Sequence, residues 1–276
     1  MTQGSPRSPH PIPTRSTIGQ AAIAGIREPL VLSVLSVTAG LVVWQLTSTL
    51  AFHSILFPSA AKTATALVAT IAGGTLAKDL FATLYRVVAG FAIGSFFGAL
   101  CGLVMGSAPV VRRFFEPYLN FFRFVTPIAW IAPATIWFGI GETSKLFLVV
   151  YATIFVVLVN TIAGVTHVHR DLVRMAQAFG GRGWQIFVYI TLPATVPFIL
   201  SGMRIAMGNS FMTVIGAELL AGNNGLGYLI YSSRVFFNSD VMFAAIVVLG
   251  TLGFTADRIF HVAQHRLFWR YRPGRP

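Results

Sequence analysis

A chain of 276 residues that is 55% hydrophobic and only 10% charged, with mean hydropathy +0.74, cannot cover a globular surface in water, where about a quarter of residues are charged. Its net charge of +12 would suit nucleic acid, but the basic residues are nearly all Arg and sit between apolar runs, mostly on one alternating set of loops; membrane topology explains them, and no nucleic-acid partner is expected. The single cysteine, Cys101, lies in an apolar run and reads as core packing, and no Cys/His cluster has metal-ligand spacing.

Residues 1–28 form a tail whose first twenty residues are polar and rich in Pro and Ser, and it is expected to be disordered and cytoplasmic rather than a cleaved signal. A spanning helix needs about 20 mostly apolar residues, and the first such run is 30–50. Residues 53–79, interrupted by Pro58, Lys62, Gly73 and Gly74, read as an external loop carrying an amphipathic helix. The second span, 80–105, has Gly90, Gly94, Gly98 and Gly102 at every fourth position, a stripe that lets a neighbouring helix approach closely, although a pore wall would also suit it. Residues 107–119, with Arg112, Arg113, Glu116 and Pro117, read as a short charged loop.

The third span is expected over 120–140, with Pro127 and Pro133 inside it, followed by a tight external turn at 141–145 and a fourth span at 146–165. Residues 166–192 are polar yet helical in periodicity and read as a cytoplasmic loop. Pro193 and Pro197 then open a fifth span reaching about residue 220, since proline is tolerated in a helix's first turn. A Gly/Asn loop at 222–227, a sixth span at 241–262 and a basic tail, 266–276, complete the chain. Arg7, Arg15, Arg27, Arg112, Arg113, Arg170, Arg174, Arg182, Arg266, Arg270, Arg272 and Arg275 fall on one side, against Lys62, Lys78, Lys145 and Arg234 on the other. The positive-inside rule therefore predicts an all-α polytopic bundle of about six transmembrane helices, the membrane domain covering 29–265, with both termini cytoplasmic.

The loop before the fifth span reads Arg174-Met175-Ala176-Gln177-Ala178-Phe179-Gly180, then nine residues, Ile190, one residue and Leu192-Pro193. This resembles the signature of bacterial ABC importer permeases: Glu-Ala-Ala, three residues, Gly, nine residues, Ile, one residue, Leu-Pro. The spacing matches from Ala176 through Pro193; the family's Glu is Arg174 here and its first Ala is Met175, so a contact that needs the acid does not carry over. Thr83 to Gly90 resembles the start of that family's transmembrane core, and Pro127 to Trp130, Trp137 to Gly141, and Gly225 to Ile230 after Ala217-Glu218 resemble blocks of the permeases for nitrate, sulfonates, taurine and related solutes.

The resemblance implies that the segment is a short coupling helix seated in a cytoplasmic ATPase, which alone binds ATP, so this chain needs no cofactor and catalyses nothing. It further implies a second permease copy, a periplasmic or lipid-anchored solute-binding protein, the lipid of a bacterial inner membrane, and a small, often anionic solute.

Charges at membrane depth are functional candidates by default. Arg204, eleven residues past Pro193, would sit roughly 16 Å into the fifth span. Glu218 would share its face, with Asn209 and Thr213 between them, lining the dimer interior as a path or gate. Arg204 either attracts an anion or holds a gate; the second is favoured because importers of this kind leave most recognition to a binding protein. Arg86 and Arg123 read as interfacial anchors near span ends, His167 and His169 as boundary residues, and Met203, Met207 and Met212 as core before gate. An ion-coupled secondary transporter would need membrane carboxylates or internal repeats, and an intramembrane enzyme a catalytic set; neither pattern is convincing in this sequence.

Overall fold

A computed structural model describes residues 15–51 and 56–267, which are helical apart from short connections. The chain divides into two units, Met1–Lys62 and Thr63–Pro276. In the first, α1 (Arg15–Leu46) runs into a π-helical turn (Thr47–Ala51) and contains the apolar stretch Val31–Leu50. The Trp44 Nε1–H donates to the Pro58 carbonyl at 3.2 Å and the Ser48 hydroxyl to the Phe57 carbonyl at 3.0 Å, so these polar tips are partnered. The helix begins at Arg15, inside the segment expected to be a tail; residues 1–14, and 268–276 of the basic tail, lie outside the described residues. The amphipathic helix expected in 53–79 is α2 (Ala60–Ala72).

In the second unit α3 (Thr75–Ser107) packs along α6 (Glu142–Thr166). A Cβ built on Gly90, Gly94, Gly102 or Gly106 would lie 2.5–2.6 Å from the Cβ of Val149, Thr153, Thr161 or Val165 in turn. One on Gly98 would lie 2.7 Å from the Ile154 carbonyl oxygen and 3.0 Å from the Val157 Cβ. The glycine stripe is thus a packing seam, extended to Gly106, against β-branched residues also spaced by four. Small residues of this kind let backbones close in lipid, where dispersion rather than water exclusion drives association. Residue numbers rise together along the seam, so α3 and α6 run parallel.

That parallel arrangement decides what lies between them. α4 (Pro109–Phe122) starts beside the Gly106 end of α3, and α6 starts beside Arg86 near the other end, so the intervening chain must traverse the unit. It does so as a broken crossing: α4, a 3₁₀ turn (Pro127–Trp130) and α5 (Ile131–Phe138), bent by 86°. Residues 107–119 are therefore mostly helix rather than a charged loop, and the third span is neither continuous nor confined to 120–140. The Thr126-Pro127 step interrupts it: proline lacks the N–H that would continue the ladder and biases its predecessor to extended backbone, as Thr126 adopts (ψ 142°). The Tyr151 hydroxyl lies 2.7 Å from the Phe122 carbonyl oxygen and 3.3 Å from that of Val125, placing a donor at the carbonyls freed by the break.

Next come α7 (Arg170–Ala178) and the four-residue α8 (Gly183–Ile186), and a π-helical turn (Phe187–Thr191) leads directly into α9 (Leu192–Ala221). The fifth apolar helix therefore starts at Gly183, ten residues before Pro193. Pro193 sits inside it because the π turn, closed by the Leu192 N–H to the Phe187 carbonyl, widens the helix where the proline ring would strike the carbonyl four residues earlier. α9 runs antiparallel to α6, with Gly202 against Asn160 and the Ser210 and Thr153 hydroxyls 2.9 Å apart. α10 (Leu226–Val235) and α11 (Ser239–Leu267) follow, and α11 returns along α9 to the end that carries α7. Among the described residues five helices are long and apolar enough to cross a membrane, and the bent pair adds one broken crossing.

The core between these helices is apolar, with Val87, Val149, Phe211 and Val214 in one cluster and Phe91, Val157 and Ala206 in another that Met203 and Met207 flank. Cys101 packs beside Met105, Leu158 and Ile162. His167 meets the Phe198 ring at 5.3 Å.

Candidate functional site

The segment expected to act as a coupling helix is α7. No residue of α7 is buried, and Leu172, Met175 and Phe179, spaced at three and four, form an exposed apolar stripe, Phe179 at 89%. Asp171 in its first turn complements the helix dipole. Arg174, where the resemblance expects Glu, is exposed and reaches Asp171 at 3.8 Å. The helix ends in two bonds that require glycine: the Gly180 N–H donates to Gln177 O at 2.9 Å and the Gly181 N–H to Ala176 O at 2.8 Å, with Gly180 at φ +80°. Ala176 is thus half-buried beneath its own cap, and Gly180 stands open. Ile190 lies in the π turn, and Leu192 and Pro193 lie at the start of α9.

The four residues expected to share a path face separate. Glu218 does not face Arg204: it is fully buried near the far end of α9, where Arg86 bonds it at 2.5 Å. Arg86 is no interfacial anchor. All five of its N–H groups are used: Nε and Nη2 fork onto the Glu142 carboxylate at 2.6 and 2.5 Å, Nη1 reaches Glu218 and the Asn224 carbonyl, and Nη2 also reaches Asn224 Oδ1. Glu218 further accepts from the Gly227 N–H at 2.9 Å and from the Thr83 hydroxyl, which itself accepts the Leu226 N–H. Asp79 accepts the Gly225 N–H at 2.8 Å, and Lys145 approaches Glu142 at 3.7 Å.

Asp79, Thr83 and Arg86, at spacings of four and three on one face of α3, thereby clamp the loop between α9 and α10. That loop can approach only because Gly225, at φ +108°, has no side chain; a Cβ there would lie 2.4 Å from the Glu218 carboxylate carbon. The polar stripe on an otherwise apolar helix is the signal that would have found this cluster.

Arg204 pairs instead with Asp257 of α11, with its Nε and Nη2 each 3.4 Å from a carboxylate oxygen, both side chains about half exposed. Glu218 of α9 and Asp257 of α11 are therefore each held by an arginine. Asn209 and Thr213 line a cavity of about 580 Å³ with Arg123, Tyr151, Asn160 and Met212. Among the described residues no group of three His, Cys, Asp or Glu side chains is placed to hold a metal ion.

Comparison with known proteins agrees with this architecture. Residues 94–269 match the family described as binding-protein-dependent transport system inner membrane component. The taurine transport system permease protein TauC of Escherichia coli is 34% identical over 248 residues, covering 88% of this chain and 90% of that protein. The bicarbonate transport system permease protein CmpB of Synechococcus elongatus is 29% identical over 191 residues, 67% of this chain and 68% of that one. Among solved structures, a chain of the MetNI methionine ABC transporter in an inward-facing conformation superposes with TM-score 0.54 at 18% identity, covering 69% of this chain and 94% of that chain, which is a likeness of fold. A multi-pass helical bundle and these matches lead to one conclusion: the chain belongs to the family of binding-protein-dependent transport system inner membrane components, the non-catalytic permease subunits of ABC transporters.

Proposed function

We propose that the chain forms half of the translocation path of an ATP-driven importer for a small anionic solute of the sulfonate, taurine or nitrate kind, and that α7 is the knob a cytoplasmic ATPase subunit grips. The observation that carries this reading is the α7 stripe. Leu172, Met175 and Phe179 are large exposed apolar side chains on a helix with no fully buried residue, next to the bonded cap at Gly180 and Gly181. Such anchors at helical spacing suit a groove in a partner.

A second copy of the chain would complete the path, and a periplasmic or lipid-anchored binding protein would deliver solute at the Asn224 end. Both termini would then be cytoplasmic in a bacterial inner membrane, on the side rich in Arg112, Arg113, Arg170, Arg174 and Arg182. ATP would be held by the ATPase alone. Movement of α7 would reach α9 through the π turn at Phe187–Thr191, with the Arg204–Asp257 pair bracing α9 against α11 as a gate element. An ion-coupled carrier is disfavoured, because its expected carboxylates, Glu218 and Asp257, are bonded to arginines.

Phe179→Ala is expected to weaken association with the ATPase about 30-fold, the loss of about 2 kcal/mol typical of an interface anchor. Phe237→Ala, at another exposed aromatic, just after α10, should leave this association unchanged. Co-purification of the ATPase with the membrane-inserted chain measures both. Equal recovery for Phe179→Ala and Gly180→Asp relative to the parent would sink the docking assignment.

A further inference from the structure

We infer that Arg123, with Asn209 and Thr213, forms a binding site for a small organic monoanion, such as an alkanesulfonate, in the cavity beside the break between α4 and α5. This deepens the importer reading by placing a substrate-class site within the path. The cavity, open on one side, has a volume of about 580 Å³, enough for a small organic ion with some water.

Its depth comes from α6: Tyr151, whose hydroxyl meets the Phe122 and Val125 carbonyls on either side of Arg123, lies nine residues into that helix, about 14 Å along it. Arg123 therefore sits at membrane depth, because α4 already begins at Pro109 and carries the chain inward for fourteen residues before the break. An arginine there is too deep to act as the interfacial anchor its place in the sequence suggested, and one facing hydrocarbon is costly.

The polar groups around it are available. Among the described residues no carboxylate pairs with Arg123, whose guanidinium carbon lies 4.9 Å from the centre of the Phe124 ring. The Asn209 amide and the Thr213 hydroxyl have no hydrogen-bond partner among the described residues, and Asn160 donates only to the Val156 carbonyl. One unpaired cation and a few neutral polar groups among apolar walls match a single negative charge on a short tail; a doubly charged phosphate ester would find too few cations. The site also lies where a crossing helix is broken, the position at which irregular backbone at membrane depth lines cavities rather than lipid.

The test uses the membrane-embedded full chain carrying Cys101→Ala, which removes its single cysteine, and Met212→Cys, whose parent side chain is 75% exposed at the cavity rim. The thiol is modified with sulfonatoethyl methanethiosulfonate, an anion, and with the matching trimethylammonium reagent, a cation. The rate ratio cancels any change in the thiol's own ionisation. Adding Arg123→Gln is expected to lower the anion-to-cation ratio about tenfold, whereas Arg123→Lys should keep most of it, since the effect is one of local charge. Ethanesulfonate should slow the anionic reagent in the parent and not in Arg123→Gln.

An unchanged ratio in Arg123→Gln, a thiol unreactive to both reagents, or no slowing by ethanesulfonate would each overturn the site. The readout needs neither uptake nor the ATPase. A failed ATPase pull-down beside an intact charge preference would therefore remove the docking assignment and leave this site standing.

Discussion

Arg86→Ala is expected to cost about 3–5 kcal/mol and to lower the apparent thermal midpoint of the purified protein by roughly 10 °C, because it strands a buried carboxylate. The reasoning rests on burial: the Arg86 and Glu218 side chains are 1% and 0% exposed, and neither can turn to water when its partner is lost. Removing the guanidinium also unpairs the Asn224 carbonyl and one face of Glu142. Arg86→Lys keeps the charge but not the planar fork, so it should recover only part of the loss. Exchanging the charges, Arg86→Glu with Glu218→Arg, should not restore stability. The new carboxylate would face Glu142, and the new guanidinium would meet the Gly227 N–H, a donor against a donor. Thermal unfolding of the three variants and the parent in detergent provides the measurement, and recovery in the charge exchange would show that the cluster is a simple ion pair rather than a clamp on the loop.

How much of this was visible before the structure depends on the range of the interaction. The apolar runs other than 120–140, the glycine stripe and the Ala176–Gly180 spacing are local, and each corresponds to a helix, a seam or a cap where the pattern placed it. Arg86 was misplaced because its partners lie 56 and 132 residues away, at Glu142 and Glu218, and no periodicity reports a contact of that range. Glu218 and Arg204 were assigned one face by counting turns along a single helix, but each answers to a different neighbour, α3 for one and α11 for the other. Arg123 was misplaced for a local reason. Arg112, Arg113 and Glu116 made residues 107–119 look like a loop, although an i,i+4 pair such as Arg112–Glu116 at 3.8 Å sits comfortably on an amphipathic helix. Starting the crossing at Pro109 moves Arg123 from a span end to its middle. Pro193 followed its expected rule only in part, since a π turn gives it the room that a helix start would have given.

The seam between α3 and α6 yields the second large effect, and it discriminates between two kinds of obstacle. Gly98→Ala is expected to destabilise the folded chain by about 3 kcal/mol, at the upper end for overpacking, because the added carbon would lie 2.7 Å from the Ile154 carbonyl oxygen, a backbone atom that cannot rotate away. Gly90→Ala meets a side chain instead: its two nearest neighbours, both at 2.6 Å, are the Cβ and Cγ1 of Val149. Removing that obstacle, in Gly90→Ala with Val149→Gly, should make the pair of changes cost less than the sum of the two alone, although the lost buried valine side chain and a glycine within α6 still destabilise the double mutant. The corresponding exchange at the next site, Gly98→Ala with Val157→Gly, should recover nothing, because the carbonyl remains. Both double-mutant cycles can be read from thermal unfolding or from the yield of folded protein in detergent, and contacting positions are where such cycles depart from additivity. Equal rescue at the two sites would mean that the helices can shift apart and that the seam does not fix their separation. Rescue at Gly90 alone would place α3 and α6 as one rigid pair, against which α9 and the break at Arg123 must move if solute is to pass.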